Sequence, residues 1–98
     1  MDLLVSVVSQ SAKIEKTIKR DDGTATVISR VRVRLRSGYH ELIAEAEGAQ
    51  AIEIDKNPLQ VGGMYVGDIS FRVGEWKDEK TGEQMASTFI RMNKIAKI

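Results

Sequence analysis

The sequence predicts an all-β fold, a small antiparallel barrel of about five strands with protruding hairpins. Three observations carry that prediction. Over residues 27–36 apolar and basic side chains alternate, with Val27, Val31, Val33 and Leu35 on one side and Arg30, Arg32, Arg34 and Arg36 on the other. Successive side chains of a strand point to opposite faces, whereas a helix would scatter those arginines round its circumference. The dipeptides Asp22-Gly23 and Ser37-Gly38 flank this stretch with hairpin-turn chemistry. Finally, β-branched runs fill a chain that has only one proline and no low-complexity linker or repeat.

In chain order, residues 3–8 open as a strand. Ile14 and Ile18 then suit a helix or a strand, and the Asp22-Gly23 turn selects the strand. A two-residue turn there sets Ile18 opposite Val27, Ile14 opposite Val31 and Ala12 opposite Val33, all on one face, with Glu15 facing Arg30 and Lys13 facing Arg32. A similar turn at Ser37-Gly38 sets Arg36 opposite Tyr39, Arg34 opposite Glu41, Arg32 opposite Ile43 and Arg30 opposite Glu45. The arginine strand becomes the centre of a meander. Residues 51–55 suit a short strand or a helical turn, ended by Asn57-Pro58. A strand from 64 to about 76 contains Gly67 and Gly74, either of which can mark a bulge. Residues 78–83 read as a polar loop and 85–98 as the last strand. Strongly twisted strands in so short a chain suit a closed barrel, the OB type among them.

Composition narrows the function classes. The 98 residues are expected to form one domain over 1–98. The formal net charge is +1, so any basic surface must be local. The absence of cysteine removes disulfides, thiolate chemistry and zinc-finger ligation. Nothing near the single histidine, His40, completes a metal site or a triad. No nucleophile–base pair or phosphate-cradling glycine loop can be assembled, so neither an enzyme nor a cofactor is expected. No apolar run reaches membrane-spanning length and the first residues lack a signal-peptide pattern, which leads us to expect a soluble, cytoplasmic protein.

The arginine face admits two readings. Cross-strand charge pairs contribute roughly 0.2–1 kcal/mol each and are ordinary on sheets. In the register above, Arg30 and Arg34 face glutamates, while Arg32 and Arg36 have no acid opposite and keep their positive potential. Single-stranded nucleic acid is bound by such charge together with rings on which bases stack. Of the aromatics, Phe71 and Phe89 are expected in the core and Tyr65 fits either role. Tyr39 beside its turn and Trp76 beside the polar loop are the candidate stacking residues, with Trp76 equally suited to a protein interface.

Ser70-Phe71-Arg72-Val73-Gly74-Glu75-Trp76 resembles Ser-Phe-Lys-Val-Gly-Gln-Phe of the filamentous-phage gene V family, the helix-destabilising single-stranded DNA-binding proteins. Gly63-Met64-Tyr65 is similar to that family's Gly-Leu-Tyr. An opening strand into Ser9-Gln10, a turn at Gly23 and Gly38-Tyr39 extend the likeness. The resemblance implies an OB-like barrel, a two-fold homodimer and cooperative coating of single-stranded DNA with little sequence preference. It places Trp76 at the loop phenylalanine near the dyad and Lys16 at the arginine entering the binding hairpin. Lys19 or Arg20 would stand for the basic residues of its loop, and Ile28 for the leucine beyond. Thr26 and Arg34 stand where the family has tyrosines, which shifts the implied mechanism towards electrostatics. Trp76-Lys77-Asp78, Thr81-Gly82 and Thr88 are also similar to the last hairpin of bacterial single-strand-binding proteins.

The expectation is therefore a homodimer in phage or plasmid replication that binds single-stranded DNA, with RNA left open as a competitor. Its candidate binding residues are Lys13, Lys16, Lys19, Arg20, Ile28, Arg32, Arg34, Arg36, Tyr39, Trp76, Lys77 and Arg91. The alternative is a structural or adaptor barrel that binds only protein, as a virion or replication-complex component would.

Overall fold

A computed structural model describes every residue from Met1 to Ile98. The elements in order are β1 (Asp2–Gln10), β2 (Ile14–Lys19), β3 (Ala25–Ser37), β4 (His40–Glu47), α1 (Ala49–Lys56), β5 (Met64–Lys77) and β6 (Gln84–Lys97). The alternating stretch lies within β3, whose Val31, Val33 and Leu35 are buried while Arg32, Arg34 and Arg36 stay exposed. Hydrogen-bonded neighbours follow the order β1-β5-β6-β4-β3-β2, and a further pairing of β1 with β3 makes the bonding ring-like. Six strands form where five were expected, because residues 14–19 form a strand of their own that pairs with β3 alone. All pairings are antiparallel except one between β4 and β6, at Glu45 and Arg91.

Inside the ring Val5 and Val7 of β1 meet Val31, Val33 and Leu35 of β3, Tyr65 and Ile69 of β5, and Met92 of β6. Burying each of the larger aliphatic side chains contributes about 1.5–3 kcal/mol relative to exposure. Ala44 and Ala46 of β4 sit directly opposite Val33 and Val31, small residues against larger ones, as a narrow interior requires. Residues 51–55 take the helical alternative, and α1 turns Ala51 and Ile54 into the core. Gln10 fastens the end of the helix: its Nε2 donates to the Ile54 carbonyl at 2.8 Å, and its Oε1 accepts the Leu59 N–H at 3.0 Å.

Both hairpin registers differ from the expected ones, with different consequences. The turn between β2 and β3 holds three residues rather than two, with Gly23 at φ 85° and the Arg20 N–H donating to the Thr24 carbonyl. This is the arrangement in which a left-handed glycine closes a three-residue loop. It shifts the pairing by one residue, so Ile14 faces Arg30, Lys16 faces Ile28 and Ile18 faces Thr26. Ile14 and Ile18 are therefore exposed on the arginine side instead of lying over the core, and Val27 is exposed on the other side. Between β3 and β4 the turn is Gly38-Tyr39, which moves the pairing by two residues and leaves each face as expected. Glu15 and Lys13 do not stand opposite Arg30 and Arg32.

Asp22 stabilises the first turn by accepting from the Thr24 N–H at 3.0 Å and the Thr24 hydroxyl at 2.7 Å. The hydroxyl bond first, and the backbone bond after it, hold its carboxyl below the ordinary aspartate range. A group whose folded pKa is lowered stabilises fully above its unfolded value and loses that effect as the pH falls through the folded one. Acidification below the usual carboxylate range is therefore expected to lower the hydrogen-exchange protection of Thr24, relative to an unstructured chain at the same pH, before that of the core amides. Equal loss of protection at Thr24 and Val33 would remove this role for Asp22.

Beyond Ile69, β5 and β6 continue as a two-stranded arm in which Phe71 pairs with Ile90, Arg72 with Phe89, and Trp76 with Met85. The radius of gyration of 15.6 Å reflects this projection, since a compact chain of this length would have roughly 13 Å. The pairing slips between Asp68 and Ile69, next to Gly67. Gly74 marks no bulge. A Cβ there would lie within 2.5 Å of the Phe89 ring, which occupies the space the side chain would fill.

Candidate nucleic-acid interface

The site grows from alternation on four strands. On β3 the inward valines leave Arg30, Arg32, Arg34 and Arg36 on the outer face. On β4 the inward alanines leave Glu41, Ile43, Glu45 and Glu47 outside, directly across from Arg36, Arg34, Arg32 and Arg30. Inward Met92 on β6 leaves Arg91 and Phe89 outside, and inward Ile69 on β5 leaves Ser70, Arg72 and Gly74 outside. These side chains bound a groove of about 530 Å³ between the arginine sheet and the arm, lined by Arg30, Arg32, Ile43, Glu45, Glu47, Arg72, Phe89 and Arg91 among others. A second hollow of about 390 Å³ shares Arg30, Arg32 and Glu45 with it and extends over Ile14, Glu15 and Lys16 of β2. Together they form one concave surface from the β2 hairpin to the arm. Its cations, Lys16, Arg30, Arg32, Arg72 and Arg91, outnumber its carboxylates, Glu15, Glu45 and Glu47.

The register shift overturns the expected charge balance. Arg32 and Arg36 are paired, not free: Arg32 Nε lies 3.6 Å from Glu45, and Arg36 Nη2 lies 3.5 Å from Glu41. Arg34 shares Glu41 at 3.4 Å, and Arg91 lies 3.3 Å from Glu47. Only the Arg36–Glu41 contact also has hydrogen-bond geometry. Arg30 Nε lies 3.2 Å from Glu45 and 3.7 Å from Glu47, yet it is buried without a hydrogen-bond partner because its N–H is not aligned with either oxygen. Partly exposed pairs of this kind contribute about 0–1 kcal/mol. They hold the guanidinium groups loosely. Arg72 and Lys16 take part in none of the chain's ion pairs.

No protein-family model and no curated protein matches the sequence. Among solved structures, a small single-stranded DNA-binding protein from Streptomyces coelicolor is similar to it over 100% of this chain and 94% of the other, at 17% identity and a TM-score of 0.46.

Of the residues singled out in the sequence, Lys16, Arg32 and Arg91 line this surface. Ile28, half-buried, pairs with Lys16 and so shares the arginine side of the hairpin. Arg34 and Arg36 continue the arginine row beyond the groove, towards the fully exposed Tyr39 in the β3–β4 turn. Lys13 is drawn to Glu15 at 3.6 Å, while Lys19 and Arg20 stand at the tip of the hairpin. Trp76 is 46% exposed near the tip of the arm, on the side of Arg72 and Gly74 by register, and Lys77 falls on the opposite side. The structure does not bring Tyr39, Lys19, Arg20, Trp76 or Lys77 to the groove wall.

Three groove residues suited to contact nucleic acid lie outside the candidate set read from the sequence: Arg30, which the expected register neutralises; Arg72, which enters only through the Ser70–Trp76 resemblance; and Phe89, which residue type alone assigns to the core with Phe71. Both phenylalanines are about half exposed, on opposite sides of the arm. Their core assignment fails because the arm extends past the interior, so even its inward-facing positions have nothing to cover them. Alternation from Arg91 was the signal that could have placed Phe89 outside.

Proposed function

We propose that the chain binds single-stranded DNA along the groove, coating it with little sequence preference as a homodimer in phage or plasmid replication. The observation that carries this reading is the open surface on which unpaired and loosely paired cations surround an exposed Phe89. A flexible polyanion can draw Arg30, Arg32 and Arg91 from their glutamates, because exposed ion pairs of this type contribute little. Arg72 and Lys16 need no such release. The Phe89 ring offers a face for an unstacked base, which a duplex does not present.

By analogy of fold, OB-type barrels bind oligonucleotides on the face of their second and third strands between two flanking loops. With β2 taken as part of the first loop, the corresponding elements are β3 and β4, the β2 hairpin and the arm. Phe71 and Val73, exposed on the far side of the arm, support the homodimer expected from the gene V resemblance. That same apolar strip is the observation favouring the rival reading, an adaptor that binds only protein.

The test is a titration with poly(dT) followed by Trp76 emission, beside a gel shift of single- and double-stranded DNA at two salt concentrations. The single strand is expected to bind more tightly, with a log–log salt slope of about −0.7 per phosphate contact and so near −3.5 for the five groove cations. Absence of binding at low salt, or binding indifferent to salt, rules the reading out.

A further inference from the structure

The glutamates of β4 play no part in the binding just proposed, yet each stands between two arginines. Glu41 lies 3.4 Å from Arg34 and 3.5 Å from Arg36; Glu45 lies 3.2 Å from Arg30 and 3.6 Å from Arg32; Glu47 lies 3.7 Å from Arg30 and 3.3 Å from Arg91. A ladder built only to stabilise the sheet would balance its charges across the strands. This one does not. Arg34 faces Ile43 rather than a fourth carboxylate, so five arginines share three glutamates. A carboxylate offers a guanidinium the same charge-assisted contact as a phosphate oxygen.

We infer that Glu45 and Glu47 compete with the nucleic-acid backbone for Arg30, Arg32 and Arg91 and so hold the affinity below what those arginines alone would give. This rests on the proposed single-stranded DNA reading and assigns its regulation to two named side chains. Each phosphate that enters must displace a carboxylate and then sit beside it. Binding is weakened and dissociation hastened, while the surplus of arginines over glutamates keeps the empty groove positive on balance.

The experiment compares wild type with Glu45→Gln and Glu47→Gln by anisotropy of a fluorescein-labelled oligo(dT). Each variant is expected to bind about three- to tenfold more tightly at low salt and dissociate more slowly, with the salt slope unchanged because the same cations meet phosphates in wild type and variant. Asp55→Asn, on the exposed surface of α1, removes the same charge away from the groove and is expected to stay within about twofold of wild type. Unchanged or weaker binding by both glutamine variants, or an equal gain from Asp55→Asn, overturns the competition while leaving wild-type binding as proposed. If wild type does not bind at all, the proposed function fails and this inference with it. Glu41→Gln, whose arginine partners lie beyond the groove, is expected to gain less than either, and should one groove variant lose its fold by melting curve the other still decides the test.

Discussion

Replacing Arg72 and Arg91 together by alanine is expected to weaken poly(dT) binding by about 70-fold at 50 mM salt and about tenfold at 200 mM. The figures follow from counterion release: each lost phosphate contact removes about 0.7 from the salt slope, so two remove about 1.4. The pair is chosen because the two residues come from different strands and both line the groove, one without a carboxylate partner and the other leaning on Glu47. Arg34→Ala with Arg36→Ala removes the same charge from the part of the row beyond the groove, and a smaller loss is expected there. Equal losses from the two pairs would mean that the strand follows the whole arginine row towards Tyr39 rather than crossing to the arm. A loss that does not shrink with salt would mean that the arginines act through the fold, which melting curves of the variants would reveal.

The second large effect belongs to Phe89. Aromatic–base stacking is worth about 1–3 kcal/mol by alanine substitution, or roughly 5- to 150-fold in affinity. Phe89→Ala is expected to fall in that range and to leave the salt slope unaltered, because no charge is removed. Phe89→Trp should retain binding and Phe89→Leu should not, since stacking needs a π face rather than bulk. The ring is half exposed and rests over Gly74, so its loss is expected to change the melting temperature little. Unchanged affinity in Phe89→Ala would transfer the stacking role to Trp76 or Tyr39, or leave the interface purely electrostatic.

How much of this could be read from the sequence depended on which faces the physics fixes. The outward arginines and inward aliphatics of β3 were legible because a period of two admits a single partition of that strand. The polar loop and the long last strands were legible for the same reason. Cross-strand partners were not, because they depend on turn length. Asp22-Gly23 serves a two-residue or a three-residue loop equally well, and Thr24 closing on Asp22 decided for the longer one. At Ser37-Gly38 the turn moved forward by one residue on each side, which preserved the faces and changed every partner. The belief that Arg32 and Arg36 were unpaired rested on that register and fell with it. Phe89 was not legible because burial was inferred from residue type, and a projecting arm exposes residues that a core would cover; Arg72 was not, because nothing in the sequence shows that the arm folds beside the arginine sheet.

The three-residue turn at Asp21-Asp22-Gly23 makes the hairpin sensitive to phase. Among diverged copies of this protein, loss of one position there would turn β2 over and offer Glu15 and Thr17 to the bound polymer in place of Lys16 and Ile18. Gain or loss of a position in the stretch after Lys77 would leave every such face untouched. Length variation is therefore tolerable at the far end of the arm and costly at this corner, although both are exposed turns.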